Sequence, residues 1–518
     1  MGQAGKHELT HEIAVSLDEM DQAPLLGERP EQGAPHTWPR HHSRRAPASI
    51  TARTIIISLV FAWLATLAAL AFAVRLARAS AGVSAWPWPA EVDLGCPAHS
   101  SWELVQPTRQ TIDLANAASL PEWIDPAVPL AEFDDEGPAN FTALAALCAA
   151  TEFVPGRWMS SEDGQGGIGN VRNIVLTLLR YTIASGAGFV LPSVMLRAAE
   201  VNGDVENLHR GGRAMLDFFF DVPFLRAQLV KHCPQMPVAA DLYHVEGLEN
   251  AVFPDPFWPP DLRSLATGRP PSMPRPSPEA PGVQEMDPET HRQDLDAFVG
   301  LPRAANKPQI LRLQRTLFQY PIATDPPAFF ASFGRLLRLH PVARVLASQT
   351  LAEVAALGGG YMGVHLRLEG DAAEAWGTPE EQTSAYVTRI LASGLKVVYV
   401  ASGDPAPVAR FEQLLGKRAP AVRLVTKHSL LAAQPGALAK LDALHFDQQA
   451  LVDYLLLLKS NYLVGTAVSS FSVNALIKRH LSLPGQMAAP ELFRVGQDER
   501  TFLIRDRVSK GMRETMWP

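Results

Sequence analysis

Apolar positions fall into three regimes along the chain. Residues 54–74 (TIIISLVFAWLATLAALAFAV) form an uncharged run bounded by Arg53 and Arg75. A helix needs about 20 apolar residues to cross a hydrocarbon core, and no second run of that quality follows, so the pattern predicts one transmembrane helix. Residues 1–53 are polar and proline-dotted and read as a disordered tail, and residues 75–150 read as a stem with short elements. From Phe153 the pattern becomes periodic. It predicts a helix over 171–183, a glycine stop at Gly186 and Gly188, and a short buried strand ending at Pro192. A further helical or mixed segment covers 214–232.

Residues 254–300 open on a proline tract and read as an insertion between two lobes, 151–253 and 301–518. In the second lobe, 326–357 reads as helical. Strands follow at 361–366, 396–401, 422–426 and 462–466, with helices at 380–393, 406–415, 447–459 and 473–480. This alternation predicts βαβ units, a parallel sheet and an α/β fold. Ligands in such sheets bind beyond the carboxyl ends of the strands.

Composition narrows the function. With 518 residues, 47% of them hydrophobic, the chain is not a disordered polypeptide. A formal net charge of -7 excludes a dominant polyanion-binding role. Three cysteines exclude a disulfide scaffold and argue against a zinc cluster. No repeat of 20–50 residues recurs, which excludes a solenoid.

Arg40, Arg44, Arg45 and Arg53 precede the apolar run, whereas Arg75 and Arg78 follow it closely. The basic excess keeps the tail in the cytosol and sends everything after about Ala79 to the lumen or exterior. Ala77-Arg78-Ala79 resembles a signal cleavage site, but the preceding tail and the run itself are too long for a signal peptide. Asn140-Phe141-Thr142 is a glycosylation sequon, which suits a lumenal body. Cys96, Cys148 and Cys233 all follow the run, enough for one disulfide of unspecified pairing.

The tips of three strands in the second lobe carry candidate chemistry. His365 and Arg367, two apart in an extended segment, share a side, and the planar fork of an arginine suits a diphosphate. Arg367 is equally able to pair with Glu369 or Asp371. Asp404 follows the second strand, placed either to accept from a ribose or base or to cap the next helix. Ser469, Ser470, Phe471 and Ser472 lie between a strand and a helix, where backbone N–H groups attract phosphate and serine caps the helix. In the first lobe, Gly164-Gln165-Gly166-Gly167-Ile168-Gly169 matches G-x-G-x-x-G. The residues before it (159–163, Met-Ser-Ser-Glu-Asp) carry no strand pattern, and no acid stands at the next strand end. That argues against a nicotinamide site and leaves glycines that let a sugar or nucleotide approach the backbone.

The ordered set formed by residues 166–172, 188–192, 364–371, 398–404 and 450–472 resembles the GDP-fucose protein O-fucosyltransferase-like proteins, over roughly residues 150–490. The resemblance implies a GT-B type glycosyltransferase with two facing Rossmann-like lobes. It would be anchored in the Golgi or endoplasmic reticulum and would transfer fucose from GDP-fucose to a protein or glycan hydroxyl with inversion. It implies that Arg367 contacts the β-phosphate and leaving oxygen, that His365 orients the nucleotide side, and that Asp404 binds the nucleoside. Ser469, Ser470 and Phe471 would meet the phosphates. Gly166, Gly167, Asn170 and Arg172 would close over the sugar or acceptor. No metal is expected, and Asp294-Leu295-Asp296 is read as a chance D-x-D match. Some members use a glutamate in the glycine-rich loop as base, where this chain has Gln165. A neutral amide cannot take a proton, so the alternative is an inactive anchored protein that binds a glycan or partner.

Overall fold

The computed structural model describes residues 140–518, apart from 162–163, 165, 198–211, 260–261, 263–287, 303, 305, 315, 369–377, 482–496, 499 and 505–509. The tail, the apolar run at 54–74, Cys96, Gln165, Glu369 and Asp371 lie outside the described residues. No helix among the described residues is long and apolar enough to cross a membrane. The described chain belongs to one compact unit, His99–Pro518.

The first lobe runs α1 (Thr142–Ala150), β1 (Arg157–Ser161), α2 (Ile168–Ala184), β2 (Gly188–Val190), β3 (Val194–Met195) and β4 (Arg213–Ala214). It continues through α3 (Val222–His232), β5 (Val238–Ala239), α4 (Pro288–Val299), β6 (Gln309–Leu313) and α5 (Pro327–Phe333). Its four-stranded sheet has the order β5-β2-β1-β6, every pair parallel. β3 and β4 form a separate antiparallel pair.

The second lobe contains α6 (Pro341–Ala356), β7 (Met362–His365), α7 (Pro379–Ser393), β8 (Val397–Ala401), α8 (Pro405–Arg418), β9 (Arg423–Val425) and α9 (Lys427–Leu431). After these come α10 (Pro435–Asp442), α11 (Phe446–Lys459), β10 (Tyr462–Thr466), α12 (Ser470–Leu481), β11 (Gln497–Asp498), β12 (Thr501–Ile504) and α13 (Lys510–Thr515). Its sheet has the order β11-β12-β10-β7-β8-β9, parallel except for β11 against β12. Every residue of β7 and β8 is buried, as expected of strands covered on both faces by helices. Local signals fix the helix ends. Thr378 and Glu381 form a capping box before α7, Pro379 opens it, and Gly394 closes it in a left-handed conformation.

Four expectations need correction. A strand, β1, does precede the glycine-rich loop. Its sequence RWMSS hides it because the polar Arg157 is fully buried, donating to the carbonyls of Ser185 and Gly300 and pairing with Asp296 at 2.7 Å. The lobe boundary does not fall at residue 300, because β6 pairs in parallel with β1 over five residues. The 254–300 insertion is packed at both ends: Phe257 and Leu295 are buried in the main core, and residues 252–257 run along β6. Finally, the last residues assigned to the stem belong to the first lobe. Phe141, Leu144 and Cys148 are buried there, and Cys148 is disulfide-bonded to Cys233 at the end of α3.

The chain's last residues return to the first lobe. The Trp517 indole is fully buried, stacked on Tyr320 at 5.5 Å and against Phe333 at 4.9 Å. Its carbonyl accepts from Asn474 of α12, so this segment ties the two lobes together.

Candidate functional site

In the second sheet β8 and β9 extend from one side of β7, and β10 and β12 from the other. The order reverses between β7 and β10, and the same reversal occurs in the first sheet between β1 and β6. A crevice opens beyond the strand ends at such a switch point, because the following helices leave on opposite faces. A cleft of about 740 Å³ lies there, lined from both lobes.

Nine of the substrate-facing residues picked from sequence line this cleft: Gly166, Gly167, Asn170, His365, Arg367, Asp404, Ser469, Ser470 and Phe471. Arg367 is half-buried just past β7. His365, the last residue of β7, lies with its Nδ1 2.7 Å from Ser472 Oγ, and its ring stacks on Phe471 at 4.5 Å. Burial, and then the neighbouring Arg367 charge, lower the His365 imidazole to about 3, so it is neutral. Asp404 caps α8, its Oδ1 accepting from the Ala406 N–H at 2.8 Å, and it lines the cleft as well. Both of its sequence readings are therefore compatible with its position.

The glycine-rich loop is held against β3: the Gly164 N–H donates to Ser193 O, and the Met195 N–H donates to Gly164 O. Gly166 has a φ of +91°, a conformation that favours glycine. Gly167 precedes α2 with no side-chain cap, leaving the first-turn amides of α2 beside the cleft. Gly169 serves a different purpose. A Cβ there would lie 2.5 Å from the Ser470 carbonyl oxygen, so its hydrogen lets α2 and α12 meet and brings the two helix starts to one cleft.

Arg172 is a correction. Its side chain is buried, donating from Nη1 to Leu337 O (2.6 Å) and from Nη2 to Gly334 O (2.9 Å) and Pro518 O (2.7 Å). Two residues along a helix turn about 200°, so Arg172 faces away from Asn170. It organises backbone rather than substrate. Gln165 lies outside the described residues, and so do Glu162 and Asp163. Asp296 pairs with Arg157 and Arg292, and Leu295 is fully buried; neither Asp294 nor Asp296 lines the cleft. No cluster of three His, Cys, Asp or Glu side chains suited to a metal occurs among the described residues.

Sequence reading missed a fourth strand tip, that of β9. Thr426, Lys427, His428 and Ser429 line the cleft, and the strand itself was legible, so applying the strand-end rule once more finds them. Lys427 Nζ lies 2.6 Å from Asp453 Oδ2, and Asp453 Oδ1 accepts from the Tyr399 hydroxyl at 2.6 Å. Both members of this buried pair line the cleft. Arg197, which follows β3, crosses to the second lobe: its Nε donates to Asp447 Oδ1 at 2.6 Å and its guanidinium lies 4.7 Å from the centre of the Phe446 ring. No periodic signal marks Arg197, because β3 is only two residues long.

The fold and cleft define a two-lobed α/β protein whose candidate site lies where the strand order of both sheets reverses. Neither a family model nor a curated protein matches the chain. The solved structures to which it is similar include the following three. POFUT1 in complex with GDP-fucose is 14% identical, with 69% of this chain and 100% of that chain covered and a TM-score of 0.39. A mutant of Arabidopsis thaliana FUT1 in complex with GDP is 13% identical, with 65% and 71% covered and a TM-score of 0.32. The fucosyltransferase NodZ from Bradyrhizobium is 17% identical, with 63% and 91% covered and a TM-score of 0.31.

Proposed function

We propose that the chain is a GT-B type fucosyltransferase that moves fucose from GDP-fucose to a hydroxyl of a protein or glycan acceptor, with inversion. The observation that carries this reading is the convergence of Arg367 and Ser469–Phe471 at one switch point, with the uncapped start of α2 facing them across the cleft. Glycosyl transfer needs charge neutralised on the departing diphosphate. The planar guanidinium of Arg367 takes two phosphate oxygens, and the Ser469 and Ser470 hydroxyls and the first amides of α12 take others. These groups supply the positive potential, so the proposal assigns no metal. Neutral His365 holds the end of β7 to α12 and presents a ring face beside the nucleotide. Asp404 accepts from the nucleoside. Asn170 and the Gly166–Gly167 backbone close over the sugar from the first lobe, leaving its opposite face for the acceptor. Lumenal residence on a single-pass anchor in the secretory pathway belongs to the same proposal. The Cys148–Cys233 disulfide and the exposed Asn140 of the sequon support it.

Calorimetry of the purified protein with GDP, GDP-fucose and UDP-glucose tests the donor. The reading expects guanine-nucleotide binding that Arg367→Ala weakens at least tenfold, about 1.4 kcal/mol. Absence of GDP binding at millimolar ligand rejects it. Binding of GDP-fucose with neither transfer nor hydrolysis rejects the transferase and leaves a silent binding protein.

A further inference from the structure

Phe318 is the only non-glycine residue with a positive φ (+55°) among the described residues. A bulky side chain in the left-handed region is strained and persists only where its surroundings fix it, most often at a functional site. Asn173 supplies the fixing here. It is fully buried on α2; its Oδ1 accepts the Phe318 N–H at 2.8 Å, and its Nδ2 donates to Thr515 O at 2.6 Å. Thr515 ends α13, which packs on the first lobe at the turn Ile322–Thr324 and carries Met512. One buried amide thus sets both Phe318 and the helix bearing Met512.

Phe318 and Met512 both line the cleft and both pack against the core. Ile168, on α2 with Asn170, is a further apolar residue lining the cleft; the second lobe contributes apolar residues too, but it alone brings Arg367, Asp404, Lys427 and the serines. On the donor reading above, the diphosphate lies at Arg367 and the serines, and the sugar lies against Phe318 and Met512. Fucose is a 6-deoxy sugar, with a methyl where its parent hexose has CH₂OH. A phenyl ring has no hydrogen-bonding group and a thioether accepts only weakly, so these two side chains suit a methyl and strand a hydroxyl.

We propose that Phe318 and Met512 form the seat for the 6-deoxy edge of the donor sugar and so set donor specificity, with Asn173 as the residue that positions Phe318. This rests on the GDP-fucose reading above. GDP-L-galactose differs from GDP-fucose by one hydroxyl on C6, and GDP lacks the sugar, so the three isolate the contact. Dissociation constants of all three are measured calorimetrically for the wild type and variants of the full protein. The wild type is expected to prefer GDP-fucose over GDP-L-galactose by about 10- to 100-fold, the range an apolar pocket reaches against an added hydroxyl. Phe318→Asn tolerates the left-handed backbone but lacks the ring, and Met512→Gln introduces an amide. Each is expected to cut the preference to about threefold or less on that same range while leaving GDP affinity unchanged. Met512→Leu is expected to retain the preference. Asn173→Ala is expected to lower it, and adding Phe318→Asn to Asn173→Ala should lower it no further. An unchanged preference in Phe318→Asn and Met512→Gln, with normal GDP binding, overturns the seat and leaves the donor reading standing. A wild type that binds no GDP overturns the donor reading itself.

Discussion

His365 and Ser472 join the two strands that flank the switch point: the imidazole Nδ1 at the end of β7 lies 2.7 Å from the Ser472 hydroxyl in the first turn of α12. The same hydroxyl accepts the Thr466 N–H at the end of β10. One buried serine therefore sets the spacing of the strand tips that carry Arg367 and Ser469–Phe471.

A neutral His365 makes the protein acid-sensitive. Burial lowers His365 and His291 to about 3 and His340 to about 4. Their ordinary value, about 6.5, applies when the chain is unfolded. Between those values the unfolded chain binds more protons, so stability is complete above pH 6.5 and is lost as pH falls toward 4 and 3. Each histidine contributes up to about 1.4 kcal/mol per pH unit across its window. Denaturant midpoints measured from pH 7.5 to 4.5 should fall accordingly. His340 caps α6 through Nδ1, and His340→Asn keeps a cap while removing one histidine's share of the slope. An unchanged slope in that variant contradicts the assignment.

Gly169 sets how closely the lobes meet. Gly169→Ala is expected to push α2 off the Ser470–Phe471 backbone, costing about 1–3 kcal/mol by overpacking. Because that contact aligns the two helix starts, GDP binding should weaken as well. Gly167→Ala, whose Cβ would meet nothing within 4 Å, serves as the control for stability. Equal unfolding midpoints for the two variants would refute the close approach.

Asn170 and Arg172, neighbours in sequence, should behave oppositely. Arg172→Met takes the guanidinium away from the backbone oxygens of Leu337 and Pro518 and leaves Gly334 O with the Leu337 N–H at 3.3 Å, and is expected to cost about 3 kcal/mol. Arg172→Lys should not rescue it, since an ammonium lacks the fork that reaches several carbonyls. Asn170→Ala should stay within about 1 kcal/mol of wild type in stability yet lose about tenfold in GDP-fucose affinity. Thermal unfolding and calorimetry on the same preparations separate the two roles.

The Cys148–Cys233 bond closes a sequence separation of 85 residues within the first lobe. Replacing both cysteines with serine is expected to cost about 2–5 kcal/mol. Non-reducing peptide mapping should recover the Cys148–Cys233 pair, and recovery of Cys96 joined to either residue would refute it.

The second lobe was legible because parallel strands buried on both faces are unbroken apolar runs, and glycine, proline and small polar residues mark where they stop. The strand tips after β7, β8 and β10 therefore stood out. β1 did not, because burial of Arg157 depends on Asp296 and on carbonyls at Ser185 and Gly300 that only the fold supplies. The residues of β6 were placed in the second lobe, with no strand read there, for a related reason: their partner β1 lies about 150 residues earlier, and a pattern of apolar positions records burial, not pairing.

By itself, the sequence determined the α/β class, the strands β7 to β10 with the helices α7, α8, α11 and α12, and the residue types that face a ligand at the ends of strands. Only the tertiary structure decided that Arg172 serves backbone and not cleft, that Gly169 is a contact between helices, and that Phe318 and Met512 share one wall. Each of these depends on atoms distant along the chain, and local spacing fixes which way a side chain points without fixing what stands opposite it.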